Sequence, residues 1–245
     1  MDKTLEARND EDQELHASPG SGAIAAIKDV GIDPHVVAYF DRRSPISAQY
    51  RKLRTNLLRL DRANPPRSIL ITSSVPGEGN SITALNLGVT FADAPESRVV
   101  VVDANLRDPS LHRLMGMDNK SGLADYLAGE AVLGRLIRPT ALPNLSILTA
   151  GRLCGNPTKL LSCTRLSDLI RRLAVEFDHV VIDTPPVVSF SDAAVMAPSA
   201  DGVLLVVNMG ETSRKDAAQA HFLLRRVDSR ILGAVLTHMA PGQDA

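Results

Sequence analysis

The stretch SILITSSVPGEGNSITALNLGVTFA, residues 68–92, decides the fold of this chain. Its β-rich start predicts a buried strand, and its second half carries apolar residues at helical spacing. Between them, Gly77 and Gly79 allow the backbone conformations and the close approach that a phosphate group requires. The helix that follows would point its free amide groups at an anion. The stretch therefore predicts a strand, a phosphate-binding loop and a helix in succession.

The loop departs from the usual pattern of such loops, G-x-x-x-x-G-K-[ST], in which the lysine contacts the β- and γ-phosphates. Gly79 and Ser81 fit this pattern, whereas Ser74 stands at the first glycine and Asn80 at the lysine. A lone match of this quality is equally compatible with a tight strand-to-helix turn. The loop alone therefore leaves two interpretations open, a phosphate site and a simple turn.

Two further strand ends favour the phosphate site. The segment VVVVDANLRDPSLHRLMG, residues 99–116, places Asp103 at the end of an apolar run, and DHVVIDTPPVVSFSDAA, residues 178–194, does the same with Asp183. A single carboxylate in such a position could merely cap the next helix. Ligands of open α/β sheets bind at the carboxyl ends of the strands, so three such ends together predict a shared site.

The rest of the chain alternates apolar β-rich runs with longer helical patterns. The runs are continuously apolar rather than alternating, which is typical of parallel strands that are buried on both faces. We therefore predict an α/β fold with a mostly parallel sheet and helices on both faces. The predicted strands are residues 68–73, 98–104, 145–151, 179–186, 202–207 and 231–237.

Composition excludes several classes of protein. The chain has 245 residues, 44% of them apolar, with a formal net charge of −1 and 3% aromatic residues. The absence of a basic tract and of aromatic platforms argues against nucleic-acid binding. No apolar run approaches a membrane span, and the polar first residues do not form a secretory signal. We expect a soluble, cytoplasmic protein.

Three regions are expected along the chain. Residues 1–30 are polar and charged, and are predicted to be a disordered tail. Residues 31–62 form an amphipathic helical arm, in which Tyr50, Leu53, Leu57 and Leu60 recur at three- and four-residue steps after Pro45. Residues 63–245 form the phosphate-loop domain.

With these motifs in place, the chain resembles the cytoplasmic kinase domain of bacterial tyrosine kinases of capsule and exopolysaccharide biosynthesis. These kinases belong to the P-loop NTPase superfamily that includes the MinD and partition ATPases. The resemblance extends from SPISAQYRKLRTNL through PGEGNSITALNL, SGLADYLAG and NPTKLLS to ILGAVLT, about residues 44 to 237. It implies the P-loop NTPase fold, with ATP or ADP and Mg²⁺ as cofactors.

The resemblance also implies roles for particular residues. Ser81 would contact Mg²⁺, Asp103 would be the first acidic residue of an extra Walker segment, and Asp183 would be the Walker B acid. Asn105 and Arg107 would complete the catalytic set, and Arg51 and Arg54 would contact a neighbouring subunit. The nucleotide-binding positions would be Pro76, Gly77, Glu78, Gly79, Asn80, Ser81, Ile82 and, near the adenine, Thr237.

Several of these positions depart from the family pattern. Asn80 replaces the lysine and Asn105 the second aspartate, which removes charge that phosphoryl transfer requires. Ile82 replaces a usual threonine, Thr237 an asparagine, and Ala48 the glutamate of the subunit-contact helix. The sequence ends HMAPGQDA, so we expect no tyrosine cluster of the kind that these kinases phosphorylate in themselves.

We therefore expect a nucleotide-binding member of the family with weakened binding and impaired phosphoryl transfer. Its role would be regulatory or structural, on the cytoplasmic segment of a membrane chain-length or export protein at the inner membrane. It would form homo-oligomers if the basic residues of the helix after Pro45, which are Arg51, Lys52, Arg54 and Arg59, contact a second copy rather than face solvent. The alternative is an active autokinase or ATPase in which Arg107 or a membrane partner supplies the missing charge. A partition-type positioning ATPase is less compatible, because its signature lysine is replaced by Val75.

Overall fold

Seven strands form a single sheet in the computed structural model, which describes residues 31–152 and 155–238. The predicted tail, residues 1–30, lies outside the described residues. The order across the sheet is β3-β4-β2-β5-β1-β6-β7, and every neighbouring pair is parallel except β3 with β4. The strands are β1 Ser68–Ser73, β2 Val99–Asp103, β3 Ile137–Pro139, β4 Leu145–Leu148, β5 His179–Asp183, β6 Gly202–Asn208 and β7 Ile231–Thr237.

The predicted α/β class with a mostly parallel sheet is therefore confirmed. All six predicted strands are present, and β1 and β7 have the predicted bounds. The antiparallel edge strand β3 was not predicted. It is only three residues long, ends in a proline and is incompletely buried, so it carries no apolar run that would distinguish it from a loop.

Helices cover both faces of the sheet, and two separate groups of buried apolar side chains form the core beneath them. Within the described ranges, none of the helices combines the length and the apolar composition needed to cross a bilayer. Short 3₁₀ turns occur at Leu133–Arg135 and Ala197–Ser199. The helices are α1 Val37–Phe40, α2 Pro45–Arg59, α3 Asn80–Ala92, α4 Leu111–Leu114, α5 Leu123–Ala128, α6 Pro157–Leu161, α7 Thr164–Glu176, α8 Asp192–Met196 and α9 Arg214–Arg226.

Helix α2 is the amphipathic helix that the sequence predicts. The Ser44 hydroxyl caps its start by accepting a hydrogen bond from the Ser47 amide at 3.1 Å, and Pro45 occupies the first turn, where no amide donor is needed. Leu57 is buried in the core on one face of the sheet, and Tyr50 and Leu53 pack against that core. The helix therefore packs on the phosphate-loop domain through the apolar side that its periodicity defines.

Helix α3, which follows the phosphate loop, is buried from Thr83 to its end at Ala92. Its closest approach to the sheet is at Gly88, where a Cβ atom would lie 2.4 Å from Val101 Cγ2 in strand β2. A residue with a Cβ atom would therefore clash with Val101 at this position. The helix consequently lies close against the strand that ends in Asp103.

Candidate functional site

The phosphate loop connects β1 to α3 at the carboxyl edge of the sheet. Gly77 and Gly79 have φ angles of +87° and +97°, which belong to the left-handed region that glycine adopts without strain. Gly79 immediately precedes the first residue of α3, so the free amides of the first helical turn face the loop. The backbone therefore has the features of an anion-binding loop.

Asp103 and Asp183 lie directly opposite each other, because they are register partners in the neighbouring parallel strands β2 and β5. Both side chains are fully buried. The Ser81 hydroxyl, in the first turn of α3, donates a hydrogen bond to Asp183 Oδ2 at 2.5 Å. The structure thus brings together the three residues that the sequence analysis assigns to Mg²⁺.

Each of the two carboxylates keeps one oxygen without a partner. Asp103 Oδ2 accepts hydrogen bonds from the backbone amides of Ser110 at 3.1 Å and Leu111 at 3.0 Å. The Oδ1 atoms of Asp103 and Asp183 are buried and have no hydrogen-bond partner. Unsatisfied buried carboxylate oxygens are costly, so this arrangement favours a positively charged ligand.

Burial changes the acidity of both carboxyl groups. It raises the pKa of Asp103 from its ordinary value of 3.8 to about 7, against the opposing effect of the backbone hydrogen bonds. The pKa of Asp183 is raised well above its ordinary value, first by burial and then by the nearby charge of Asp103. In the absence of a cation the pair therefore holds at least one proton at mildly acidic pH.

The oxygen atoms at this site fit Mg²⁺. In proteins this ion prefers oxygen ligands, and it is usually held by one or two carboxylates together with substrate phosphates. Ser81, Asp103 and Asp183 provide such a set beside the phosphate loop. Across residues 31–152 and 155–238, no group of three or more His, Cys, Asp or Glu side chains is arranged to hold a metal. Water molecules and substrate phosphates usually complete the coordination of a Mg²⁺ that is held by so few protein ligands.

The side chain of Asn80 forms hydrogen bonds to other residues of the chain. Its Nδ2 atom donates hydrogen bonds to Ser73 Oγ and to the carbonyl oxygen of Thr184, both at 3.0 Å. A carbonyl only accepts hydrogen bonds, so the amide nitrogen must face Thr184. Both amide hydrogens are thereby used within the chain, and the buried Oδ1 atom has no partner. In this conformation Asn80 has no hydrogen to donate to a phosphate, which differs from the role of the lysine it replaces.

Arg107 is also committed to a contact within the chain. Its guanidinium forms two hydrogen bonds to the buried carboxylate of Asp192, Nε to Oδ2 at 2.6 Å and Nη2 to Oδ1 at 3.1 Å. Nη2 also donates to Thr158 Oγ1 at 2.7 Å, and the guanidinium lies 4.3 Å from the centre of the Phe190 ring. Arg107 therefore joins the loop after β2 to α6 and α8. Asn105, in the same loop, accepts a hydrogen bond from the Asp108 amide at 3.2 Å.

The remaining residues that were predicted to bind nucleotide lie in the loop, at the start of α3 and at the end of β7. Pro76 and Gly77 are exposed at the tip of the loop, and Ile82 is half-buried in the first turn of α3. Thr237, at the end of β7, lies behind the loop, where its hydroxyl donates a hydrogen bond to the backbone carbonyl of Glu78 at 3.0 Å. The side chain of Glu78 is buried rather than exposed to a ligand.

The two arginines predicted to contact a neighbouring subunit make hydrogen bonds within their own chain. Arg51 donates to the carbonyl of Arg42, and Arg54 donates to the carbonyl of Thr90 at 2.6 Å. Both are half-buried, whereas Lys52 on the same helix is exposed. The subunit contact stays a prediction, with the two guanidinium groups already partly engaged.

Sequence reasoning missed two residues that shape the site. Asp192 holds Arg107, and the carbonyl of Thr184 receives Asn80. Both lie in the segment 178–194 that was singled out for Asp183. The sequence carries no local signal for either contact, because the partners are 85 and 104 residues apart.

Comparison with known proteins finds a matching family model and similar curated proteins. The family model ParA, described as an NUBPL iron-transfer P-loop NTPase, matches residues 65–240. The tyrosine-protein kinase YwqD of Bacillus subtilis (strain 168) is 35% identical over 202 residues, which cover 82% of this chain and 85% of YwqD.

Two solved structures show the same fold. The kinase domain of the Escherichia coli tyrosine kinase ETK superposes with a TM-score of 0.78 and 27% identity, covering 86% of this chain and 84% of that domain. The septum site-determining protein MinD from Pyrococcus horikoshii, complexed with Mg-ADP, gives a TM-score of 0.60 and 27% identity, covering 69% of each chain. The phosphate loop and the acid pair thus occur on a fold that tyrosine kinases and a nucleotide-binding ATPase share.

Proposed function

The chain belongs to the bacterial tyrosine-protein kinases of the ParA-type P-loop superfamily, and from this premise we propose that it binds nucleotide but is impaired in phosphoryl transfer. It acts as a regulatory or structural member of a capsule or exopolysaccharide biosynthesis system. The ligand is ATP or ADP with Mg²⁺, bound at the phosphate loop. The observation that carries the proposal is the engagement of Asn80 within the fold.

The absence of the lysine is expected to reduce nucleotide binding less than it reduces phosphoryl transfer. A charge-assisted hydrogen bond contributes about 1.5–3 kcal/mol, so replacement of lysine by an engaged amide weakens nucleotide binding about ten- to a hundredfold. The backbone amides, the start of α3 and the acid pair remain, and these support binding at cellular nucleotide concentrations. Loss of one preorganised charge typically reduces the rate of group transfer by about 10²–10³. Asn105, at the second acidic position, adds to that loss.

The residues of the chain would share the work of binding. Ser81, Asp103 and Asp183 would hold Mg²⁺, whose chemistry is to neutralise charge on the phosphate oxygens. The amides of the loop and of the first turn of α3 would bind the phosphates. Arg107 is already paired with Asp192, so it does not replace the lysine without breaking a buried ion pair.

The proposed setting is the cytoplasmic face of the inner membrane. The protein would be held there by the cytoplasmic segment of a chain-length or export protein, because the resemblance covers the kinase domains that work with such segments. The exposed basic residues Lys52 and Arg59 on α2 provide charge for an acidic partner segment or for a second copy.

Calorimetric titration of Mg-ADP and Mg-ATP into the purified protein and its Asn80→Lys variant tests the proposal. We expect weak but measurable binding by the wild-type chain, and at least tenfold tighter binding by Asn80→Lys, since the lysine adds a charge-assisted bond. Asn64→Lys adds the same charge at an exposed position away from the loop, and should leave the affinity unchanged. Efficient phosphorylation of protein tyrosine by the wild-type chain, abolished by Asp103→Ala and Asp183→Ala, would refute the impairment.

An active kinase that requires its membrane partner is the second candidate. The observation that favours it is the intact acid pair, in which each buried carboxylate keeps one oxygen without a hydrogen-bond partner. It predicts that ATP turnover begins when the cytoplasmic segment of that partner is added. Absence of turnover in the saturated complex would exclude this candidate.

A further inference from the structure

Glu78, inside the phosphate loop, has a buried carboxylate with no opposite charge beside it. The residue is 1% exposed, although its neighbours Pro76 and Gly77 are exposed. Among the ion pairs of the described residues, none involves Glu78. A carboxylate in this position is stable only if hydrogen-bond donors satisfy it.

One carboxylate oxygen binds the first half of the loop. Oε2 accepts hydrogen bonds from the backbone amides of Ser74 at 2.6 Å and Val75 at 2.9 Å. These are the first two amides after β1, and in this arrangement they point toward the side chain of Glu78. Phosphate binding is therefore left to the amides at the second half of the loop and the first turn of α3.

The other oxygen binds the neighbouring strand. Oε1 accepts hydrogen bonds from the backbone amide of Asn208, the last residue of β6, at 3.3 Å, and from the hydroxyl of Thr212, which precedes α9. The backbone carbonyl of Glu78 accepts the bond from Thr237 at the end of β7. Glu78 is thus the one loop residue among those described here that joins the phosphate loop to both β6 and β7 by hydrogen bonds.

We propose that Glu78 is a positioning residue whose carboxylate latches the start of the phosphate loop to the end of β6, so that the loop keeps its anion-binding shape without a lysine. A carboxylate has about four acceptor sites, and the four donors at Glu78 match them. Bonds from amides to a charged acceptor are about twice as strong as neutral ones. This inference relies on the proposed function only for the choice of Mg-ADP as ligand.

Glu78→Gln tests the latch, because glutamine has the same shape but keeps only one acceptor oxygen. Either the Ser74 and Val75 amides or the Asn208 amide then faces an amide nitrogen that cannot accept, so the link from the loop to β6 is broken in both side-chain orientations. The first measurement is hydrogen exchange of the Ser74 and Val75 amides by NMR without nucleotide. We expect exchange at least about tenfold faster in the variant, with the amide of Val101 in the buried strand β2 unchanged. The second measurement is Mg-ADP affinity, which should fall about tenfold.

Two further variants complete the test. Glu211→Gln removes the same charge at a nearby exposed position and should change neither measurement. Thr212→Val removes one donor and leaves the carboxylate, so it should accelerate exchange at Ser74 and Val75 by about threefold. If Glu78→Gln does not fold, the Thr212→Val result decides the question.

Exchange at Ser74 and Val75 within twofold of wild type in a folded Glu78→Gln protein, or in Thr212→Val if that is the variant used, would overturn the latch. A uniform acceleration that includes Val101 would also overturn it, because it would show general destabilisation instead. If the wild-type chain binds no Mg-ADP, the proposed function fails, while the exchange measurement still decides whether the latch exists.

Discussion

The phosphate loop after β1 and the loop after β2 start at the same edge of the sheet, but different side chains make their long-range contacts. In the first, residues 74–79, the buried carboxylate of Glu78 bonds the amides of the loop, and Asn80, the first residue of α3, is also bonded within the fold. In the second, residues 104–110, a cation makes the long-range contact, because Arg107 is paired with the buried Asp192, while the carboxylate of Asp103 bonds the Ser110 amide at the end of the loop. The cation of the second loop therefore stabilises the fold through a contact within the chain.

The largest expected effect comes from removing the ion pair between Arg107 and Asp192 in the second loop. Arg107→Ala leaves the fully buried carboxylate of Asp192 with only the hydroxyl of Thr158 as donor, and should lower the free energy of unfolding by about 3 kcal/mol. Urea denaturation measures this. Arg113→Ala breaks an exposed pair with Asp108 and should cost less than about 1 kcal/mol. Equal losses in the two variants would contradict the distinction.

The second effect concerns the acid pair between the two loops. The pKa of Asp103 is raised from 3.8 to about 7 in the folded protein, so between these pH values the unfolded chain releases a proton that the folded one retains. Stability without metal should therefore fall as pH rises through this window, by at most about 1.4 kcal/mol per unit for this group. Asp103→Asn should make this fall shallower without abolishing it, because burial still raises the pKa of Asp183, and it should stabilise the metal-free protein at pH 7 by about 2 kcal/mol.

Denaturation in EDTA at pH 5, 6, 7 and 8 provides the measurement. Asp108→Asn is the control, because Asp108 is exposed in the same loop and its charge is open to solvent. A wild-type profile that rises or stays level between pH 5 and 7 would show that the pair is not strained by its shared burial.

The smallest expected effect comes from removing the hydrogen bonds of Asn80 beside the first loop. Asn80→Ala removes the bonds to Ser73 and Thr184, and should lower the free energy of unfolding by about 1 kcal/mol. Because both amide hydrogens are already used, Mg-ADP affinity should change less than threefold. A much larger loss of affinity would show that Asn80 turns toward the phosphates when nucleotide binds, and would make the two loops more alike than they are here.

Local patterns predicted the fold well because the strands that define it are strongly apolar. Strand β1 and strand β7 have the predicted bounds, and the acids at the ends of β2 and β5 lie opposite each other as expected. The site was less predictable wherever a role depends on distant partners. The replacement at Asn80 was visible in the sequence, but its bond to Thr184 was not, and the burial of Glu78 depends on strands more than 120 residues away.

The close contact at Gly88 limits how this molecule can move. Helix α3 abuts β2 there with no room for even a methyl group, so a shift of the helix across the sheet would collide with Val101. Collective helix shifts take microseconds to milliseconds, whereas loops move in nanoseconds to microseconds. A rearrangement of the phosphate loop is accordingly expected to stay within the loop and to be fast, because α3 cannot carry it across the sheet.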